Sequence, residues 1–440
     1  MNYFLAIDIG ASSGRHIIGY MDKGKLIQDE VYRFTDYLSF SNDHFTWDIK
    51  KIFDEVKKGI KKAFIKYLSV TSLSIDTWGC DYVLLDGDEE ILPCYSYRDK
   101  RTADIINEVH SIIPFEKLYE ITGSQYQPFN TIYQLYKDKI DKRLDKATDF
   151  LMIPEYLIYK LTGIKVKEYT NASTTGLTSL NTLDFSQKII SKLGFKKDLF
   201  KPLYKSGFKV GLLKEDIVKE VSGNTMVILS STHDTASAVK GLGINMDEVY
   251  LSSGTWSLLG IKRNTPVNSH DALNANYSNE YGDNYIRFQK NIMGMWIVNN
   301  LGKELSLSPS EMVRLAKESS YKEIYDVNDK KFISTVDIMK DIYESLKERN
   351  KPLPNEKQDY ISSTIHSLAY SYKEAIDELE KITNRTYDKI YIVGGGAKNT
   401  YLNELTELYT KKKVIALPIE GTAIGNLYSQ MEAINENRCN

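Results

Sequence analysis

The sequence predicts an α/β protein built from two similar lobes, and two loops, one in each half, carry that prediction. The first lies in Ala6-Ile7-Asp8-Ile9-Gly10-Ala11-Ser12-Ser13-Gly14-Arg15, and its Ser-Ser-Gly core returns in Tyr250-Leu251-Ser252-Ser253-Gly254-Thr255-Trp256-Ser257. Each loop follows a short apolar strand and leads into another, Ile17 to Tyr20 in the first half and Leu258 to Ile261 in the second. Small residues in such a turn let backbone N–H groups and hydroxyls approach phosphate oxygens, and a carboxylate at Asp8 can hold the accompanying Mg²⁺ through water. Together the loops imply a two-lobed nucleotide enzyme, although an ordinary Gly-rich hairpin would explain either one alone. Neither has the spacing of the dinucleotide fingerprint or of Walker A.

Length and composition agree with that frame. A chain of 440 residues exceeds the size at which one core usually keeps growing, so about two to three domains are expected. The net charge of -2 and pI near 6.4 supply no basic field for nucleic acid or an anionic membrane, which leaves a small neutral or phosphorylated ligand. Three cysteines, Cys80, Cys94 and Cys439, form no CxxC pair, and Met1-Asn2-Tyr3-Phe4 lacks the basic and apolar regions of a signal peptide, so a cytoplasmic protein is expected. No apolar run reaches the ~20 residues of a membrane helix.

Along the chain, Phe4 to Ile9, Ile17 to Tyr20 and Lys25 to Phe34 read as three consecutive antiparallel strands, the last two turning at Asp22-Lys23-Gly24. After Trp47-Asp48, apolar residues at Ile49, Ile52, Phe53, Val56, Ile60, Ala63 and Phe64 take helical spacing, with lysines on a solvated face. Leu73 to Thr77 is a buried strand, and Tyr82 to Leu85 enters a turn at Asp86-Gly87. This meander, helix, strand order departs from the alternation of a Rossmann domain and points to the ribonuclease H-like sheet shared by sugar kinases, actin and Hsp70. Thr102 to Val221 reads as helices and loops decorating the first lobe. Val227 to Leu229 is a short strand, Thr235 to Val239 starts a helix, and Gly241 to Asp247 connects the halves, giving domains 1–244 and 245–440. In the second, Ile361 to Leu379 marks a long amphipathic helix before the strand Ile390 to Val393, and Val414 to Leu417 is a further strand. Gly394-Gly395-Gly396 follows the former, and could let a ligand lie directly on the backbone or simply form a flexible loop.

Ser231-Thr232-His233-Asp234-Thr235-Ala236-Ser237-Ala238 holds an acid at the end of a strand. A carboxylate just before a helix serves either as a cap or as acceptor of an attacking alcohol's proton, and the residue pattern alone does not choose. With Asp8 to Arg15, Ile75-Asp76-Thr77-Trp78-Gly79-Cys80-Asp81-Tyr82, Leu251 to Ser257 and Ile392 through Asn399, this block resembles the FGGY carbohydrate kinases, and its His-Asp-Thr and Asp-Thr-Trp-Gly forms resemble their rhamnulokinase branch. Weaker matches such as Tyr97-Arg98-Asp99 and Gln127 to Thr131 extend the resemblance over nearly the whole chain.

The resemblance implies two ribonuclease H-like domains with an interdomain active-site cleft, the first sugar-binding and catalytic, the second nucleotide-binding. It implies Asp234 as general base and Gly79, His233, Asp234, Thr235, Asn291 and Trp78 on the sugar. Ala11, Ser12, Ser13, Gly14 and Arg15 would cradle the polyphosphate of ATP, with Thr255, Asn299 and Gly395 also on the nucleotide and Asp8 in the Mg²⁺ shell. Asn299 stands where a glutamine is common, and Ala397-Lys398 replace a more polar or sulfur-containing pair. The implied reaction is ATP-dependent phosphorylation of the 1-hydroxyl of L-rhamnulose by a monomer or homodimer. Alternatives are another ketose such as L-fuculose or L-xylulose, or a non-catalytic ATP-binding regulator. Trp78 suits the core as well as a ligand, the 31 tyrosines read mostly as packing, and Cys80 and Cys94 as structural thiols. No histidines have metal-ligand spacing.

Overall fold

The computed structural model describes residues 1–417 and 420–435, so Cys439 lies outside the described residues. Its two largest sheets each have six strands. In the first, Phe4–Ile9 is buried at every position, which its apolar run demands, and it takes a central place. It pairs antiparallel with Ser13–Asp22 and parallel with Ser72–Thr77, and Lys25–Thr35 completes the expected meander. Met226–Ile228 and Lys209–Leu212 extend the other edge. The helix Ile49–Tyr67 starts at Asp48, whose carboxylate accepts from Lys51 N at 2.9 Å, and buries Ile52, Val56 and Ile60.

The second sheet repeats the plan. Val249–Ser253 pairs antiparallel with Trp256–Arg263 and parallel with Lys389–Val393, which pairs with Lys413–Ala416. Ile286–Met293 and Ser278–Tyr281 form the opposite edge. The helix Lys357–Thr383 lays Ile361, Ile365, Leu368, Tyr372 and Leu379 into this lobe's core.

Two features go beyond the sequence reading. The middle segment packs on both lobes, not on the first alone: Tyr119 Oη donates to Tyr277 O at 2.8 Å, and Gly123 O accepts from Asn279 N at 2.8 Å. The final helix, Gly421–Asn435, returns to the first sheet, where Ala423, Leu427 and Met431 join Phe4, Ala6 and Ile17. Gln430 Nε2 donates to Leu5 O at 3.0 Å, and Ser72 Oγ donates to Gln430 Oε1 at 2.7 Å. The chain therefore crosses between lobes at least twice, once before Val249 and again after Ala416.

Candidate active site

Three strand ends in the first lobe converge on a row of acids. Asp8 and Asp76 are register partners on adjacent parallel strands, and Thr77 bridges to His233, so Asp234 emerges one residue beyond. Asp8 is paired with Arg15 at 2.6 Å, and Arg15 also reaches Glu420 at 2.5 Å, just ahead of the returning helix. Asp76 accepts from Asn426 Nδ2 through Oδ2, while its Oδ1 is buried with no hydrogen-bond partner. Burial raises both carboxyls above their ordinary range, Asp76 strongly, with the charge of Asp8 adding to the effect and Arg15 opposing it.

Asp234 is the first residue of the helix Asp234–Gly241, and His233 is its N-cap. Its Oδ1 accepts from Thr235 N at 2.6 Å and Thr235 Oγ1 at 3.2 Å, so the side chain serves its own neighbour instead of capping the following turn. Burial raises the Asp234 carboxyl, and His233, Thr235 and Arg287 act against that shift. Arg287, fully buried in the second lobe, donates from Nη2 to Glu280 Oε2 at 3.0 Å and to His233 Nδ1 at 3.1 Å. His233 Nδ1 also lies 3.3 Å from Glu280 Oε2, and its Nε2 lies 3.5 Å from Asp234 Oδ1. Burial would raise Glu280, yet Arg287 and His233 hold its carboxyl down at about 2. An ionised pair from the second lobe thus braces the acid of the first.

Two cavities meet beside Asp234, and Asp8 and Asp76 line neither. The smaller, about 310 Å³, is lined by Trp78, Gly79, His233, Asp234, Thr235 and Asn291, which are the residues expected on the sugar. The larger, about 1130 Å³, is lined by Ser12, Asn299 and Gly395 of the nucleotide set, with Trp296 and Met312. Gly254 and Thr255 line both, and in the other loop Ala11 faces the smaller and Ser12 the larger. Ser13, Gly14 and Arg15 line neither; they begin the second strand, and a Cβ on Gly14 would meet the Phe34 ring at 2.3 Å. Of the triple glycine, Gly395 lines the larger cavity; a Cβ on Gly396 would lie 1.9 Å from Ser253 Oγ, and Gly394 has φ +84° beside Ser253 O.

Both halves match known domains. Residues 3–241 match the FGGY family of carbohydrate kinases, N-terminal domain, and residues 249–434 its C-terminal domain. The chain belongs to the FGGY family of carbohydrate kinases. It is 42% identical over 438 residues to a rhamnulokinase of Oceanobacillus iheyensis, covering 98% of this chain and 93% of that one. A rhamnulokinase of Bacillus subtilis is 38% identical over 442 residues, covering 98% and 90% of the two chains. The crystal structure of a ligand-bound xylulose kinase from Lactobacillus acidophilus superposes with a TM-score of 0.84 at 18% identity, over 100% of this chain and 90% of that one, which shows the shared fold.

In this FGGY kinase, ATP and a divalent metal are the expected partners of the sugar. Among the described residues no group of three His, Cys, Asp or Glu converges to hold a metal directly. The orphaned Asp76 Oδ1 beside Asp8 fits a hydrated cation instead. Asp76, Glu280 and Arg287 were not singled out from the sequence. For Asp76 a signal existed, since Ser74-Ile75-Asp76 mirrors Ala6-Ile7-Asp8. Trp78 satisfies both of its readings: it stacks on Tyr37 at 6.2 Å, donates to Asp81 Oδ2 at 3.0 Å and still lines the smaller cavity. Cys80 and Cys94 are free thiols that burial pushes up, which leaves them protonated and inert. No helix among the described residues is long and apolar enough to cross a membrane.

Proposed function

We propose that this kinase transfers the γ-phosphoryl group of ATP to the 1-hydroxyl of L-rhamnulose, giving L-rhamnulose 1-phosphate and ADP. The observation that carries the reading is the meeting of a sugar-sized and a nucleotide-sized cavity at two small-residue loops, with Asp234 on the sugar side. Identity of 42% to rhamnulokinases over nearly the whole chain supports the choice of sugar. Residues 1–244 hold the sugar and the base, and residues 245–440 supply most nucleotide contacts.

Asp234 accepts the proton of the sugar hydroxyl as its oxygen attacks phosphorus. His233, whose Nε2 lies 3.5 Å from that carboxylate, favours its ionised form. Gly79, Trp78, Thr235 and Asn291 shape the sugar pocket, and the unpartnered Asn291 Oδ1 is free to accept a sugar hydroxyl. Ala11 and Ser12 face the polyphosphate from the first lobe, and Thr255, Asn299 and Gly395 hold the nucleotide from the second. Mg²⁺ would be held through water by Asp8 and Asp76, where it neutralises phosphate charge. Lobe closure excludes water that would otherwise hydrolyse ATP. The protein acts in the cytoplasm as a monomer or homodimer.

The test is Mg²⁺-dependent ADP formation with L-rhamnulose, L-fuculose, L-xylulose and no sugar. Strong preference for L-rhamnulose is expected. Preference for another ketose would keep the chemistry and change the substrate, and ADP formation independent of sugar would overturn the kinase reading.

A further inference from the structure

We propose that Arg98 is a catalytic residue whose guanidinium binds the phosphoryl group during its transfer. This deepens the reading above and rests on ATP occupying the larger cavity. Tyr97 lines the smaller cavity and Arg98 the larger, so this dipeptide of the first lobe straddles the junction at which the phosphoryl group must pass. The guanidinium carbon lies 5.6 Å from the centre of the Tyr97 ring and 5.8 Å from that of Trp296, which belongs to the second lobe. Arg98 therefore touches both lobes beside Ser12, Gly254 and Thr255, one member of each small-residue loop included.

Its charge balance sets it apart. Arg15 is paired with Asp8 and Glu420, Arg101 with Asp138, and Arg287 with Glu280. Among the described residues Arg98 forms no ion pair with a carboxylate, and its Nε is buried without a hydrogen-bond partner. A planar cation near two aromatic rings, engaged with Tyr97 but with its Nε unpartnered and no carboxylate paired to it, at the wall of the larger cavity, is matched by a phosphate oxygen pair. In the transfer, the sugar oxygen bonds to the γ-phosphorus as the bond to the β–γ bridging oxygen breaks. The electron pair leaves with ADP and the hydroxyl proton passes to Asp234. Charge on the equatorial oxygens of the moving group is what a forked donor stabilises.

The experiment compares wild type, Arg98→Met and Arg98→Lys in steady-state turnover and in calorimetric binding of ADP alone and of ADP with aluminium fluoride, L-rhamnulose and Mg²⁺ present. Arg98→Met is expected to lower kcat about 10² to 10³-fold while leaving the sugar KM within about threefold. It should weaken binding of the fluoride complex at least about tenfold more than that of ADP alone, and Arg98→Lys should fall between. A folded Arg98→Met with kcat near wild type, or one that only raises the ATP KM, overturns the proposal. If Arg98→Met does not fold, Arg98→Lys with unchanged kcat and fluoride binding overturns it equally. Wild type without sugar-dependent turnover would instead refute the underlying kinase reading, and full activity in Asp234→Asn would refute Asp234 as its base.

Discussion

The two lobes share one strand plan and differ in what they place at the strand ends. In each, the leading strand pairs antiparallel with its successor across a small-residue loop and parallel with a later strand on its other side. In the first lobe the parallel pair carries Asp8 opposite Asp76 one residue before its end, with Asp234 beyond the strand end. In the second, Ser252 faces Val393, and Gly394 to Gly396 follow. In the proposed reading, acids serve where a cation would be held and a proton accepted. Neutral small groups serve where the same reading puts the anionic nucleotide, because carboxylates there would repel it. The same backbone frame thus carries opposite electrostatics, and the division of labour follows from side chains at a few equivalent positions.

Several substitutions would break or sharpen this contrast. Asp234→Asn should leave a folded protein whose turnover falls about 10² to 10⁴-fold. Thr255→Ala in the opposite loop should cost only about fivefold, through the ATP KM, the value of one ordinary hydrogen bond. Because burial raises the Asp234 carboxyl and the base acts when ionised, the acid limb of the wild-type rate profile should lie above the ordinary Asp value of about 4. An acid limb at or below that value would remove Asp234 as the titrating base.

Next in size is a packing effect in the second lobe. Gly396→Ala should lose about 1–3 kcal/mol in denaturant unfolding, since its Cβ would overlap Ser253 Oγ. Asp76→Asn should act in the opposite direction, adding about 1 kcal/mol at pH 8 without metal. A carboxyl with a raised folded pKa loses stability as pH climbs from the unfolded value through the folded one. The gain should therefore shrink towards pH 4, and the same variant should have reduced turnover. Smallest is Gly395→Ala, where an added Cβ meets nothing within 4 Å: stability should stay within about 0.5 kcal/mol while the ATP KM rises. Equal unfolding effects for Gly395→Ala and Gly396→Ala would show that the triple glycine has no directional packing.

Much of this was legible because the signals were local. Fully buried strands such as Phe4–Ile9 read as apolar runs, and Lys357–Thr383 showed its helical period in Ile361, Ile365, Leu368 and Tyr372. The returning helix Gly421–Asn435 was missed because it is buried on several faces through small and polar residues, including Asn426 and Gln430, which blur the amphipathic pattern. Glu280 sits on the short edge strand and Arg287 on its neighbour, and charged residues on both suggest solvent exposure. They are buried against each other and against His233 of the other lobe. The equivalence of Asp76 and Asp8 depends on strand register, which sequence spacing does not reveal.

The most direct test of the central claim is a crystal structure with ADP and L-rhamnulose bound. The account predicts the adenosine and phosphates in the larger cavity beside Asn299 and Gly395, and the sugar 1-hydroxyl within about 3 Å of an Asp234 carboxylate oxygen. A nucleotide in the smaller cavity, or a sugar whose 1-hydroxyl faces away from Asp234, would contradict it.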